Sequence, residues 1–358
     1  MITIVGMDKI NVALVGVGNC AKSLVEGVAF YTKNPDDTIG LMHHRIGGYH
    51  PSDIHFVAAF DVDQRKVGKK LHEAIYGPPN QTMKISDPLE YDARVHRGPT
   101  FDGVIDEMRG TFIQESPEAV VAIADTLKQS GATVVVNYLP TGSEQATHAY
   151  AEAALQAGCS FINAIPTPLA VDPAWRARFE HDGLVLMGDD IKSQLGATIL
   201  NRFLVTLLKM RGVRITKSEQ VNTGGNADHL NLQYRAKAKE QSKRGALSSL
   251  LDADDIKPTV RFEYNANDLS GHKKVLISID GEIFGHIPIS IVAAIEDEIS
   301  INSAGVVVDA VRAARVLVDR GTPQDVERVA PFLMKSPPKA MSDWEAFEAF
   351  EQVFDKPT

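Results

Sequence analysis

Cysteine is scarce in this chain, positive charge is in deficit, and long hydrophobic runs are missing. Only Cys20 and Cys159 occur among its 358 residues, so no disulfide framework is implied and a reducing compartment fits. No apolar run approaches the roughly 20 residues that cross a bilayer, and Met1 to Val17 lacks the basic start and small-residue cleavage site of a secretory signal. Both absences predict a cytoplasmic protein. Lysine and arginine total 37 against 46 acidic residues, a formal charge of −9. That balance argues against a nucleic-acid-binding face, which would have to neutralise phosphates. A small anionic ligand stays compatible, provided a few basic side chains converge locally. What is present is the mixture of a protein with a sizeable core, 44% hydrophobic and 23% charged, without internal repeats or low-complexity tracts.

The first half alternates strand and helix patterns. Residues 12–18 read as a buried strand running into a glycine turn, followed by a helix with Leu24, Val25, Val28 and Ala29 on one stripe. Ile54 to Asp61 reads as a second strand, and residues 63–76 as an amphipathic helix. Between them lies an insertion, 41–51, with three histidines, read as a surface loop near a cofactor rather than as a metal site. Further on, helices are expected over 116–129, 143–157 and 173–181, and strands over 132–138, 159–165 and 184–187. Such alternation predicts a mainly parallel sheet covered on both faces. After an apolar helix, 197–210, the grammar changes to strands with hairpin-like spacing (213–221, 260–264, 274–279 and 286–291), interrupted by a polar helix over 230–251. A helix over 303–319 and short helices over 332–354 close the chain. The fold class expected is α/β with an inserted α+β unit.

Gly16-Val17-Gly18-Asn19-Cys20-Ala21 matches a dinucleotide-binding fingerprint with alanine in the third glycine position. Glycines there let the backbone turn tightly and approach a diphosphate, and the helix that follows presents free N–H groups to that anion. Asp61 ends the second strand, where an acid commonly holds the ribose hydroxyls. It favours NAD over NADP, since it would repel a 2′-phosphate. A helix cap at Asp61 or Asp63 is the plainer alternative.

Arg235, Lys239 and Lys243 fall four residues apart and share one helical face; by itself such a stripe suits a solvated surface. It stands, however, in an ordered series of segments: Val15-Gly-Val-Gly-Asn-Cys-Ala21, Gly188-Asp-Asp-Ile-Lys-Ser-Gln-Leu-Gly-Ala-Thr198, Asn222-Thr-Gly-Gly-Asn-Ala-Asp228, Asn302-Ser-Ala-Gly-Val-Val-Val-Asp309 and Phe332-Leu-Met-Lys-Ser-Pro-Pro338. Together they resemble the myo-inositol-1-phosphate synthase (inositol-3-phosphate synthase) family in its shorter bacterial form, from about Val12 to Pro338. The resemblance implies an NAD-dependent isomerase that converts glucose 6-phosphate to 1L-myo-inositol 1-phosphate. In the family's chemistry C5 is oxidised, a C6 proton is lost, the enolate attacks C1, and the ketone is reduced again.

The same resemblance implies roles for single residues. Lys239, Lys243, Lys273 and Lys335 match the family's lysines, and Asp190 and Asp228 lie in segments facing nicotinamide and sugar. Ser193, Gln194, Gly196, Ala197 and Thr198 would hold the substrate phosphate, with Lys192 beside them as added charge or as a plain surface residue. It further implies a dinucleotide-binding domain of 1–199 and 305–358, a catalytic domain of 200–304, and a homotetramer. A divalent metal or monovalent cation stays open. The chain departs from the family where Ile299 replaces an acid, with Asp297 and Glu298 just upstream, and at Ser270-Gly271-His272 and Ala238. Alternatives are a related cyclase acting on another sugar phosphate such as fructose 6-phosphate, a net dehydrogenase, or a non-catalytic NAD-binding protein.

Overall fold

Strand β1 (Ile10–Val15) is apolar almost throughout and buried on both faces, as a central parallel strand must be. It pairs in parallel with β2 (Ile54–Asp61) on one side and β4 (Val134–Asn137) on the other. With β3 (Val95–Arg97), β5 (Ser160–Asn163) and β6 (Leu186–Met187) it forms a six-stranded parallel sheet, ordered β3-β2-β1-β4-β5-β6. The chain direction of winding reverses between β1 and β4, and ligands of such sheets bind in the crevice outside the carboxyl ends there. This computed structural model describes residues 9–232, 234–235, 258–265, 267 and 271–354.

Helices cover both faces. Helix α1 (Asn19–Lys33) follows the glycine turn, and α2 (Leu71–Ala74) is a single turn. One face of the sheet carries α3 (Ile123–Ser130), α4 (Glu144–Ala157) and α5 (Pro173–His181), packed through Leu127, Tyr150, Phe161 and Phe179. Helix α6 (Ala197–Met210) leads away to the second sheet, and residues 227–232 begin α7. The other face of the first sheet holds α1 together with α8 (Ile299–Asp319), α9 (Val326–Leu333) and α10 (Asp343–Phe354). The second sheet, ordered β10-β9-β7-β8, contains β7 (Arg214–Gly224), β8 (Thr259–Tyr264), β9 (His272–Glu282) and β10 (Pro288–Glu298). Helix α6 covers one of its faces through Val205 and Leu208 against Val275, Ile277 and Ile279. The opposite face exposes Leu276 and Val292. Among the described residues no helix is long and apolar enough to cross a membrane.

Several elements differ from the sequence expectation. The helix over 63–76 shrinks to α2, because Asp63 folds a turn by accepting the Arg65 N–H at 2.9 Å and Gly68 takes a left-handed φ of 83°. The helix over 116–129 starts only at Ile123; Ser116 and Val121 donate backbone hydrogen bonds to Val62 and Arg97, which holds that stretch extended. The last strand begins two residues late, at Pro288, and runs on to Glu298, while His286 sits in a turn. The 41–51 insertion is no loose loop beside a cofactor. Its Ile46, Tyr49 and His50 are buried, and Arg312 of α8 donates to the carbonyls of His43, His44 and Tyr49. Most of the polar helix expected over 230–251 lies outside the described residues.

Candidate active site

A cavity opens at the carboxyl ends of β1 and β4, where the strand order predicts a ligand. Its walls include the glycine turn, Asp61, the start of α6, residues 226–229, 231 and 232, Lys273, Ile299, Ser300, Ser303 and Lys335. The two ends are built differently.

At one end the backbone dominates. Gly16 has φ 88°, and a Cβ there would sit 2.8 Å from the carbonyl oxygen of Tyr138 at the end of β4. Only glycine fits so close an approach. A Cβ on Gly18 would meet nothing within 4 Å, so that face of the turn is open to a bulky group. Gly18 is also the N-cap of α1 without a side-chain cap, and the first turn carries no acid. A helix start without a side-chain cap or an acid favours an anion. Ala21 is fully buried in the core and does not line the cavity; its smallness serves packing of α1 on the sheet, a correction to its expected contact with the cofactor. Asp61 lines the cavity, and its Oδ2 accepts the Val17 N–H at 2.8 Å. Its Oδ1 accepts the N–H groups of Val62 and Asp63 at 2.7 and 2.9 Å. Asp63, paired with Arg65, takes the turn-capping role.

At the other end charged side chains converge from distant segments. Lys335 Nζ donates to Asp190 Oδ1 at 2.9 Å, and both line the cavity. The pair is set by backbone: residues 189 and 336 exchange hydrogen bonds in both directions, and the Lys335 N–H donates to the Asp190 carbonyl at 2.7 Å. Asp190 is fully buried at φ 62°, a conformation that costs of order 1 kcal/mol and persists where surroundings enforce it. A buried polar chain, Asn137 to Asn163 to Asp189, fixes this corner from the ends of β4, β5 and β6. Burial pushes the Asp189 carboxyl up to about 6, against the N–H donors of Leu169, Ala170, Asn163 and Val171. Lys273, at the start of β9, is buried and lines the cavity; Asp228 lines it from the first turn of α7 and is exposed.

Ser193, Gly196, Ala197 and Thr198 line the same cavity at the start of α6, whose N-cap Gly196 makes no side-chain cap. Gln194 does not join them. In the bend before α6 its side chain leaves the cavity and donates to the Gly40 carbonyl at 2.6 Å. Lys192 is neither a phosphate ligand nor a surface residue: it is buried and bonded to the Pro331 carbonyl and Asp343. Arg235 is half-buried, donating to the Asp102 carbonyl at 2.7 Å and packing on Gly142. With Asn231, which donates to Thr141, it ties α7 to the loop after β4. Lys239, Lys243 and Ala238 lie outside the described residues.

The sequence reading missed Lys66 and Asn80, which line the glycine-turn end, and the wall formed by Thr100, Val104, Met108 and Ile113. Lys66 could have been found as a lysine five residues beyond the strand-end acid; the 100–113 wall has no periodic signal. Among the described residues no group of three or more His, Cys, Asp or Glu is placed to hold a metal ion.

A sequence profile of myo-inositol-1-phosphate synthase matches residues 196–298. The inositol-3-phosphate synthase of Mycolicibacterium smegmatis is 43% identical over 345 residues, covering 94% of this chain and 95% of its own length. That of Corynebacterium glutamicum is 42% identical over 355 residues, 96% of this chain and 98% of the relative. The chain belongs to the myo-inositol-1-phosphate synthase family. As a member of that family it is an enzyme, an isomerase. The solved structure of Ari2 is 31% identical, covers 97% of this chain and 99% of its own, and superposes with a TM-score of 0.79. Within the family pattern, the residue in the acid's place, Ile299, does line the cavity, whereas Asp297 and Glu298 do not. Asp297 accepts from Asn302 at 2.6 Å and Glu298 from Thr82 at 3.0 Å, so no neighbouring carboxylate shifts into the vacated place.

Proposed function

We propose that the protein is an NAD-dependent sugar-phosphate cyclase that converts D-glucose 6-phosphate to 1L-myo-inositol 1-phosphate. The observation that carries this reading is one continuous cavity with a dinucleotide turn at one end and the Asp190–Lys335 pair, Lys273 and Asp228 at the other. The residues fit NAD: Gly18 leaves open space, the α1 amides lack a cap, and Asp61 faces the cavity with the nearby Arg65 already paired to Asp63. When bound, NAD supplies reversible hydride acceptance, so that an alcohol can become a ketone and return. Gly16, Val17, Gly18, Asn19 and Cys20 would flank its diphosphate, and Asp61 its ribose.

The chain's own groups supply the rest. The open amides of α6, with Ser193 and Thr198, bind a phosphate and anchor the sugar. Lys335 and Lys273 present ammonium groups in a partly dry pocket. Fixed positive charge there stabilises alkoxide or enolate oxygen, and losing one such donor typically costs about a hundred- to a thousandfold in rate. Asp190 holds Lys335 in place, and Asp228, which lines the cavity and is exposed, would exchange a proton with the sugar in this reading. Lys239 and Lys243 belong to the same cluster in this reading. The domain division is 1–199 with 305–358 for the dinucleotide and 200–304 for catalysis. In this reading the protein assembles as a homotetramer through the second sheet, whose outer face exposes Leu276 and Val292 among charged pairs such as Lys274–Glu296.

A second reading has support from Ile299: an apolar side chain in place of an acid changes the cavity wall, which would suit another sugar phosphate such as fructose 6-phosphate. Incubation with NAD+ and either sugar phosphate, with products identified by NMR, separates the two. A six-membered cyclitol phosphate from glucose 6-phosphate supports the first reading; a five-membered carbocycle from fructose 6-phosphate alone replaces it with the second.

A further inference from the structure

The glycine turn is held at its centre by three side chains, and one of them is a buried lysine. The Val17 N–H donates to Asp61 Oδ2 at 2.8 Å, and the Val17 carbonyl accepts from Lys66 Nζ at 2.8 Å and from Asn80 Nδ2 at 2.9 Å. Lys66 also donates to Asn80 Oδ1 at 3.1 Å. Both backbone polar groups of Val17, in two successive peptides, are thus clamped between Gly16, whose position is enforced by Tyr138, and Gly18, which faces open space.

We propose that Lys66 is a positioning residue of the dinucleotide site, orienting the Val17–Gly18 peptide and placing a positive charge beside the diphosphate of the bound dinucleotide. The proposal rests on the NAD reading above. A neutral amide is enough to satisfy a buried carbonyl, and Asn80 already does so. An ammonium that is only 2% exposed therefore needs another reason, because burial disfavours its charged form. The charges around it supply one. Burial holds the Lys66 pKa below the usual lysine range, while Asp61 and Asp63 favour the ammonium and Arg65, bonded to Asp63, opposes it. Without Lys66 the Asp61 carboxylate would keep its three N–H donors, and the remaining nearby positive charge, Arg65, is already paired to Asp63. With it, the acid that suits the ribose is neutralised toward the phosphates. The fold makes room for this side chain, since a Cβ on Gly77 would come 3.0 Å from Lys66 Cγ. The turn that carries Lys66 follows β2 directly, so one strand end delivers both the acid and its counter-charge.

Lys66→Met keeps the stem and removes the ammonium. The test compares wild type and variant in calorimetric titrations with NAD+ and ADP-ribose, and in ligand-observed NMR with adenosine, which lacks the diphosphate. The expected result is a loss of about ten- to a hundredfold for NAD+ and ADP-ribose, as for a lost charged hydrogen bond, with adenosine affinity within about twofold. Unchanged ADP-ribose affinity overturns the proposal, and so does an equal loss for all three ligands, which would mean a general collapse of the site. If wild type binds neither dinucleotide nor ADP-ribose, the NAD reading itself fails, and the proposal with it. Should Lys66→Met fail to give a cooperative melting transition, Asn80→Ala decides. It removes a second donor from the same carbonyl, so a loss confined to the two diphosphate ligands supports the clamp, and no selective loss overturns it.

Discussion

The two ends of the cavity do different work by different means. The glycine-turn end is made by backbone: a left-handed glycine, an uncapped helix start and a clamped peptide, all within one strand-turn-helix unit plus the end of β2. The opposite end is made by charged side chains drawn from β6, α7, β9 and α9 regions that are up to 145 residues apart, as in the Lys335–Asp190 pair. Backbone amides are rigid and carry no net charge, which suits a diphosphate that must be held without itself reacting. Ammonium and carboxylate groups in a buried corner suit a ligand whose charge changes during the reaction. The difference teaches where each kind of substitution should act.

The largest effect is expected at the charged end. Lys335→Met should lower kcat by about a hundred- to a thousandfold or more while NAD+ affinity stays near wild type, because the glycine turn does not touch Lys335. Steady-state kinetics beside a calorimetric titration checks both halves, and a parallel loss of NAD+ binding would break the division of labour. Next, Asp61→Ala should weaken NAD+ binding by about ten- to a hundredfold, the loss of charged hydrogen bonds worth roughly 1.5–3 kcal/mol. Sugar-phosphate binding should change far less, and unchanged NAD+ affinity would return Asp61 to a purely local turn role.

The two glycines sharpen the comparison further. Gly16→Ala should lower the melting temperature, since its φ of 88° and the Tyr138 carbonyl at 2.8 Å penalise any Cβ by of order 1–3 kcal/mol. Gly18→Ala should leave the melting temperature within a degree or so of wild type and still impair NAD+ binding, because its Cβ would project into open space. Equal melting temperatures for the two variants would show that the turn is not set against β4 as described.

The smallest effect is expected far from both ends. His43 lies between Asp309 and Glu351, at 2.5 and 2.8 Å, and stacks on Phe350 of α10. Burial opposes its charge, but the two carboxylates outweigh burial and raise its pKa above the ordinary 6.5. A raised histidine pKa stabilises the fold below pH 6.5, and that contribution is lost as pH climbs through the raised value. Melting temperature should therefore decline modestly over that rise, and His43→Gln should flatten the decline. An unchanged pH profile in the variant would show that the histidine does not titrate with folding.

The same contrast explains what could be read in the chain beforehand. Helices α5 and α6 fall on the expected residues, because Pro173 and Gly196 mark their starts and their patterns are local. The fingerprint too is local, and Asp61 follows from the end of a strand. Asp63, Gly68 and the 116–122 stretch resist such reading, since their conformation is decided by partners elsewhere in the sheet. Gln194 shows the limit at single-residue scale: it stands among cavity residues in sequence, but it sits in the bend before α6 and its side chain bonds Gly40. Lys192 and Arg235 look like free positive charge in sequence and are bound into the structure by Asp343 and by backbone carbonyls. The charged end as a whole came from resemblance, because no local pattern announces that Asp190 and Lys335 meet.

The most direct test of the central claim is a redox balance. In a reaction with glucose 6-phosphate and NAD+, product is quantified by phosphorus NMR and NADH by nicotinamide absorbance in the same sample. A cavity that joins a dinucleotide turn to a charge-stabilising pocket predicts many turnovers of cyclised phosphate with no matching growth of NADH. NADH accumulating mole for mole with product would make the protein a net dehydrogenase and contradict the account.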